Sequence, residues 1–114
     1  GGVSMKNQTY RMTMLYDFFG EILTDRQKEF YDLYYNNDLS LSEIAENFGI
    51  SRQGVRDLIK KAEEELLFYE EKLGLARKFK SAQHHAERAL AMCEEGADPK
   101  TIEDEIRLLL ESVG

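Results

Sequence analysis

Residues 39–66 read "LSLSEIAENFGISRQGVRDLIKKAEEEL", and the fold turns on whether this stretch is a helix, a sharp turn and a second helix. Ser40 and Glu43 stand at the spacing of a capping box, in which hydroxyl and carboxylate each satisfy a backbone N–H at a helix start. The short helix so opened would bury Leu41, Ile44, Ala45 and Phe48. Gly49 then supplies the left-handed backbone that a sharp turn needs. Ser51 is a good N-cap. From Val55 the apolar positions Val55, Ile59, Ala62, Leu66, Tyr69 and Leu73 repeat at 4, 3, 4, 3, 4, a heptad period that predicts a helix over 52–73. At about 1.5 Å per residue that helix is roughly 33 Å long, more than a DNA-reading head requires. Its second half, "EEELLFYEEKL", therefore needs a partner.

Working toward the N-terminus, turn residues Asn36, Asn37 and Asp38 stop a helix expected over 25–35, which would bury Phe30, Leu33 and Tyr34. Thr24 with Gln27 forms the capping box that starts it. Before it, residues 10–19 predict a first helix with Met12, Leu15, Tyr16, Phe19, Ile22 and Leu23 inward, bent or ended at Gly20. Toward the C-terminus, Phe79, Ala82, Ala86, Ala89 and Cys93 repeat at 3, 4, 3, 4, with Leu90 and Met92 beside them, and Gly96 closes that helix. Asp98 as N-cap and Pro99 at the first helical position start the last one, with Ile102, Ile106, Leu109, Leu110 and Val113 as its stripe. These seams pack either as an antiparallel bundle within one chain or as a dimer interface.

The expected fold is thus all-α: a helix-turn-helix head continued by a long helix that packs with C-terminal helices. Residues 1–4, "GGVS", precede Met5 in the manner of a cloning remnant. Residues 5–74 would form the head with its long helix. Residues 75–114 would form a C-terminal extension that packs on it or makes a dimer interface. The chain has 114 residues, a net charge of −7 and one cysteine. There is room for one compact unit or a small module with an extension, not for two large cores. No apolar run approaches the roughly 20 residues that span a bilayer, and no secretory signal is visible, so a soluble, cytoplasmic protein is expected. Cys93 cannot pair internally and reads as a small core residue.

The acidic balance disfavours general attraction to nucleic acid, so binding must come from a local patch. Over residues 40–61 the cations Arg52, Arg56, Lys60 and Lys61 face the anions Glu43, Glu46 and Asp57, and all four cations lie in the second helix. In a helix-turn-helix the second helix enters the major groove with its N-terminal residues toward the base edges. With Val55, Leu58, Ile59 and Ala62 inward, Arg52, Gln53, Arg56 and Lys60 fall on the opposite face. Gln53 suits adenine, and Arg52 or Arg56 suits guanine or phosphate. Ser51 and the free N–H groups of the helix start suit a phosphate. Gly54, in the first turn, costs about 1 kcal/mol relative to alanine. It permits close approach, either of a phosphate or of the bracing helix. Asp57, on the same face as the reading residues, would repel phosphate, and the run Glu63, Glu64, Glu65 would repel DNA beyond the helix start.

Residues 23–66 resemble region 4 of bacterial sigma factors, which reads the −35 promoter element. Over residues 10–75 the chain is more similar still to the YlxM-like family of small bacterial proteins, through "LYDFFGEILTDRQ", "DLSLSEIAENFGISRQGVRD" and "EEKLGL". The resemblance implies a sigma-region-4-like head, a regulatory role and a link to the signal recognition particle pathway. It also puts Arg52, Gln53, Gly54 and Arg56 at the base-facing start of the recognition helix. Gly54 stands where many relatives carry alanine, which implies a less rigid helix start.

Two functions are expected from different classes. One is a DNA-binding regulator, a homodimer through the long helix or the C-terminal helices. The other is an adaptor that binds the protein or the RNA of the signal recognition particle. Neighbouring His84 and His85 point about 100° apart on a helix and cannot chelate one metal together, and His84, Glu87 and Cys93 match no ligand motif. Both histidines are read as surface residues, and no metal or cofactor is expected. Most of the aromatic residues fall on apolar stripes and read as core, while Tyr31 and Tyr35 lie off the stripe as candidates for an exposed patch. No phosphate loop, nucleophile elbow or cysteine–histidine dyad is present, so no enzyme is expected.

Overall fold

The computed structural model describes residues 2–114, with side chains from Thr9 onward. The expected remnant at 1–4 lies outside the described side chains. The order is α1 Gly2–Phe19, a 3-10 turn Gly20–Ile22, α2 Asp25–Tyr35, α3 Leu41–Phe48, α4 Arg52–Leu73, α5 Leu75–Glu94 and α6 Pro99–Ser112. The fold is all-α, and the described residues form two compact units, 1–73 and 74–114.

Local chemistry sets most boundaries of the first unit. Both expected capping boxes close: Thr24 with Gln27 at 2.9 and 3.1 Å, and Ser40 with Glu43 at 2.9 and 3.0 Å. Gly49 takes φ 65° at the end of α3, where a side chain would be strained. The turn aims α4 so that Val55 and Ile59 join Phe30, Ile44 and Ala45 in one buried cluster, ringed by Leu33, Tyr34, Leu41, Phe48 and Leu58. Phe30, Ile44, Val55 and Ile59, each almost fully buried, contribute about 1.5–3 kcal/mol of transfer free energy apiece.

A second layer covers the next turns of α4. Met12, Leu15 and Phe19 of α1 are buried, as are Ala62 and Leu66. Phe19 lies 6.2 Å from Tyr69, ring to ring, and Thr9 lines a groove with Ile59 and Lys60, so α1 runs beside α4 in the same direction. This α1 cover is what the sequence did not assign to the heptad seam. Tyr31 is the bolt between layers. It is fully buried, stacks on Tyr16 at 5.1 Å and donates its hydroxyl to the Met12 carbonyl at 2.6 Å. The expectation of Tyr31 as an exposed aromatic fails because α2 is covered on two sides, by α3 and α4 at Phe30 and by α1 at Tyr31. Ile22 fails the other way. The 3-10 turn carries it out of the α1 register and leaves it exposed.

In the second unit α5 and α6 form a hairpin whose packing is rotated from expectation. The α6 cap is as read: the Thr101 N–H donates to Asp98 at 2.9 Å with Pro99 at the helix start. The covered positions, however, are Ala82, His85, Ala89 and Met92 on α5 and Ile102, Glu105 and Leu109 on α6. Cys93, Ala86, Ile106, Leu110 and Val113 are exposed. The cause is Glu105, whose side chain is only 4% exposed. Arg88 donates to it at 2.9 Å and His85 meets its other oxygen. A buried carboxylate is tolerated only when so paired, and the small Ala82 and Ala89 leave room for it. His85 is thereby a packed residue and not a surface one.

Candidate nucleic-acid interface

The six residues expected to contact nucleic acid lie along the first three turns of α4 and its cap, but they are not equally available. Ser51 Oγ accepts the Gly54 N–H at 2.9 Å, so the serine is a helix cap first. A Cβ built at Gly54 would meet only that hydroxyl, at 3.1 Å. The close approach that glycine permits is therefore to its own N-cap and not to the bracing helix α3. Gln53 Nε2 donates to Asp57 Oδ1 at 2.8 Å, one turn along. Reading an adenine edge would require Gln53 to give up that bond.

Arg52, Arg56 and Lys60 are exposed, and among the described residues no ion pair engages them. They recur every four residues along one flank of the helix. Arg56 and Lys60 also rim a groove of about 420 Å³ floored by Tyr34, Tyr35, Leu41 and Ile59, with Glu63 and Thr9 at its end. The sequence reading missed the far side of this groove. Tyr35 donates its hydroxyl to Glu63, tying the end of α2 to α4. Burial, then this hydrogen bond to the carboxylate, push the Tyr35 phenol above its ordinary range. Tyr35 is thus a partly buried strut and not an exposed aromatic. The clue was positional: Glu63 lies two turns after Arg56, on the same flank as the cations.

Electrostatically the helix start is a short basic edge on an acidic molecule. The Glu63 carboxylate is held by Tyr35, while Glu64 and Glu65 flank a separate groove of about 400 Å³ with Ile22, Lys61, Phe68 and Tyr69. The arrangement suits contact with a polyanion over two turns of helix and opposes it further along. Among the described residues no three His, Cys, Asp or Glu side chains cluster as metal ligands. No described helix is long and apolar enough to cross a membrane.

The sequence agrees with a defined set of proteins. Residues 6–108 match the family model UPF0122, described as "Putative helix-turn-helix protein, YlxM / p13 like", a description that is not of an enzyme family. A UPF0122 protein of Halalkalibacterium halodurans is 42% identical over 109 residues, 96% of each chain. One of Caldanaerobacter subterraneus subsp. tengcongensis is 51% identical over 84 residues, 74% of this chain and 72% of the relative. One of Listeria innocua is 49% identical over 79 residues, 69% of this chain and 72% of the relative.

Proposed function

We propose that this chain, which belongs to the UPF0122 family of YlxM/p13-like proteins, is a cytoplasmic regulator that binds duplex DNA through the start of α4. The observation that carries the reading is the exposed set Arg52, Arg56 and Lys60, without ion pairs among the described residues, on successive turns of a helix set off by the Gly49 turn. In the major groove an arginine in this place reads guanine O6 and N7 with two parallel hydrogen bonds. The N–H groups of Arg52 and Gln53 lie in the first turn, where the helix offers them no acceptor, and would meet a backbone phosphate. The head acts in the manner of sigma region 4, and as a groove reader it works as a homodimer, placing two recognition helices on two half-sites.

A second reading is an adaptor that binds the protein or RNA of the signal recognition particle. It is favoured by the groove of about 400 Å³ at Ile22, Phe68 and Tyr69, which mixes exposed apolar side chains with Glu64 and Glu65 and suits a protein better than a phosphate backbone. Fluorescence anisotropy separates the two. The protein is titrated against its own genomic upstream DNA, a random duplex, and signal recognition particle RNA. Selective, tight binding of the upstream DNA, weakened about 5- to 150-fold by Arg56→Ala, supports the regulator. Preference for the RNA, or no nucleic-acid binding with capture of the particle's protein, supports the adaptor.

A further inference from the structure

The α5/α6 hairpin buries its charged residue and leaves its greasiest residues in water. Leu90, Ile106, Leu110 and Val113 are 61, 45, 62 and 54% exposed, while Glu105 fills the seam with Arg88 and His85. The exposed residues are not scattered. Taking His85 and Glu105 as the inward marks of their helices, Ala86, Leu90 and Cys93 lie about 80–140° round α5, and Ile106, Leu110 and Val113 about 80–140° round α6 in the same rotational sense. The short turn and the reach of Glu105 to both His85 and Arg88 make the helices antiparallel. In an antiparallel pair, equal rotations in the same sense bring both stripes onto one face of the hairpin.

We infer that this face is the docking surface for a second copy of the chain, closing two hairpins into a four-helix bundle. Three observations select a second copy over another partner. First, both stripes keep the three-and-four spacing that lets helix pairs interdigitate in bundles. Second, the groove of about 470 Å³ along α6 is rimmed by Glu103 and Arg107, which pair with each other at 2.7 Å and leave that rim neutral. A two-fold contact requires a surface complementary to itself, and a neutral rim with both signs meets that requirement. Third, two helices side by side offer a face roughly 20 Å wide and 20–30 Å long. Its corrugated surface approaches the roughly 800 Å² per partner of a standard stable interface. The inference names the surface of the homodimer proposed above but does not rest on DNA reading: a dimer that ignores DNA leaves it intact.

The test is sedimentation equilibrium of the full chain over a concentration series, with circular dichroism as the check on folding. The expected species is a pair of 13.2 kDa chains. Leu110→Glu is expected to raise the dissociation constant at least about 100-fold, since a two-fold dimer buries that leucine twice. Leu108→Glu, on the opposite flank of α6 and also exposed, is expected to leave the dimer unchanged. If Leu110→Glu loses helix content, the milder Leu110→Ser takes its place. A monomer at every concentration overturns the inference, as does a dimer indifferent to both Leu110 variants or equally broken by Leu108→Glu.

Discussion

The salt dependence of DNA binding tests the geometry of α4 most directly. Counterion release contributes about −0.9 to the slope of log affinity against log salt for each phosphate neutralised. Arg52, Arg56 and Lys60 are the exposed cations without ion pairs on the reading flank, so three contacts per protomer give a slope of about −2.7. Raising salt from about 50 to about 200 mM then weakens binding about 40-fold per protomer. Alanine at Arg56 or at Lys60 flattens the slope by about 0.9 each, whereas Lys100→Ala, which removes only the α6 pair with Asp104, leaves it unchanged. Anisotropy of a labelled duplex over a salt series reads all four slopes. A wild-type slope steeper than about −5 per protomer would mean that cations outside α4 dominate. Slopes indifferent to the Arg56 and Lys60 variants would remove this flank from the interface.

Three further outcomes follow from side-chain chemistry. Tyr31→Phe keeps the buried ring but deletes the hydroxyl that holds the Met12 carbonyl, so urea unfolding should show a loss of about 1–2 kcal/mol with an unchanged m-value. Burial first, then the Glu63 charge, raise the Tyr31 phenol above 10.0. The stability tied to its protonated form is complete below that pH and is lost as pH rises beyond it, a loss that Tyr31→Phe reduces. Glu105 is held below 4.5 by the hydrogen bonds from Arg88 and His85; its stabilisation is present above 4.5 and lost as pH falls below it, and Glu105→Gln should flatten that acid limb in thermal melts. Gly54→Ala should stabilise the protein by up to about 1 kcal/mol in the same melts, with the exposed Ser51 hydroxyl, 3.1 Å from the new methyl, giving way; destabilisation would mean that the Ser51 cap on the Gly54 N–H is too tightly held to move.

What the sequence made legible was chemistry confined to a few residues. Capping boxes, the Gly49 turn and the Asp98–Pro99 start each act within one helical turn, and the boundaries of α2, α3, α4 and α6 agree with them. The exposure of Arg52, Arg56 and Lys60 was legible for the same reason, since the heptad seam at Val55 and Ile59 fixes the opposite face. Contacts between distant segments were not legible. Tyr31 became core only because α1 lies across α2, 19 residues back in the chain. Glu105 took the middle of the hairpin only because Arg88 and His85 stand 17 and 20 residues before it. An amphipathic period shows that a helix has an apolar face without showing what covers that face, so the expected stripes of α5 and α6 hold at Ala82, Ala89, Ile102 and Leu109 and fail at Ala86, Cys93, Ile106, Leu110 and Val113.

The same distinction explains how an acidic chain presents a basic edge. Counted along the sequence, Glu63, Glu64 and Glu65 sit directly behind Lys60 and Lys61 and would cancel them. In three dimensions the Glu63 carboxylate keeps its charge but is fixed by the Tyr35 hydroxyl, at the end of the groove that Arg56 and Lys60 rim. Glu64 and Glu65 flank a different groove, with Ile22, Phe68 and Tyr69. On the proposed reading a phosphate at the first two turns of α4 faces Arg52 and Arg56, with the Asp57 carboxylate, which accepts from Gln53, next to Arg56. Past Lys61 the next charged residues of α4 are Glu63, Glu64 and Glu65. On the proposed reading a duplex lies against the start of this helix and not along it, which would limit the footprint to a few phosphates and make each of the three cations a large fraction of the affinity.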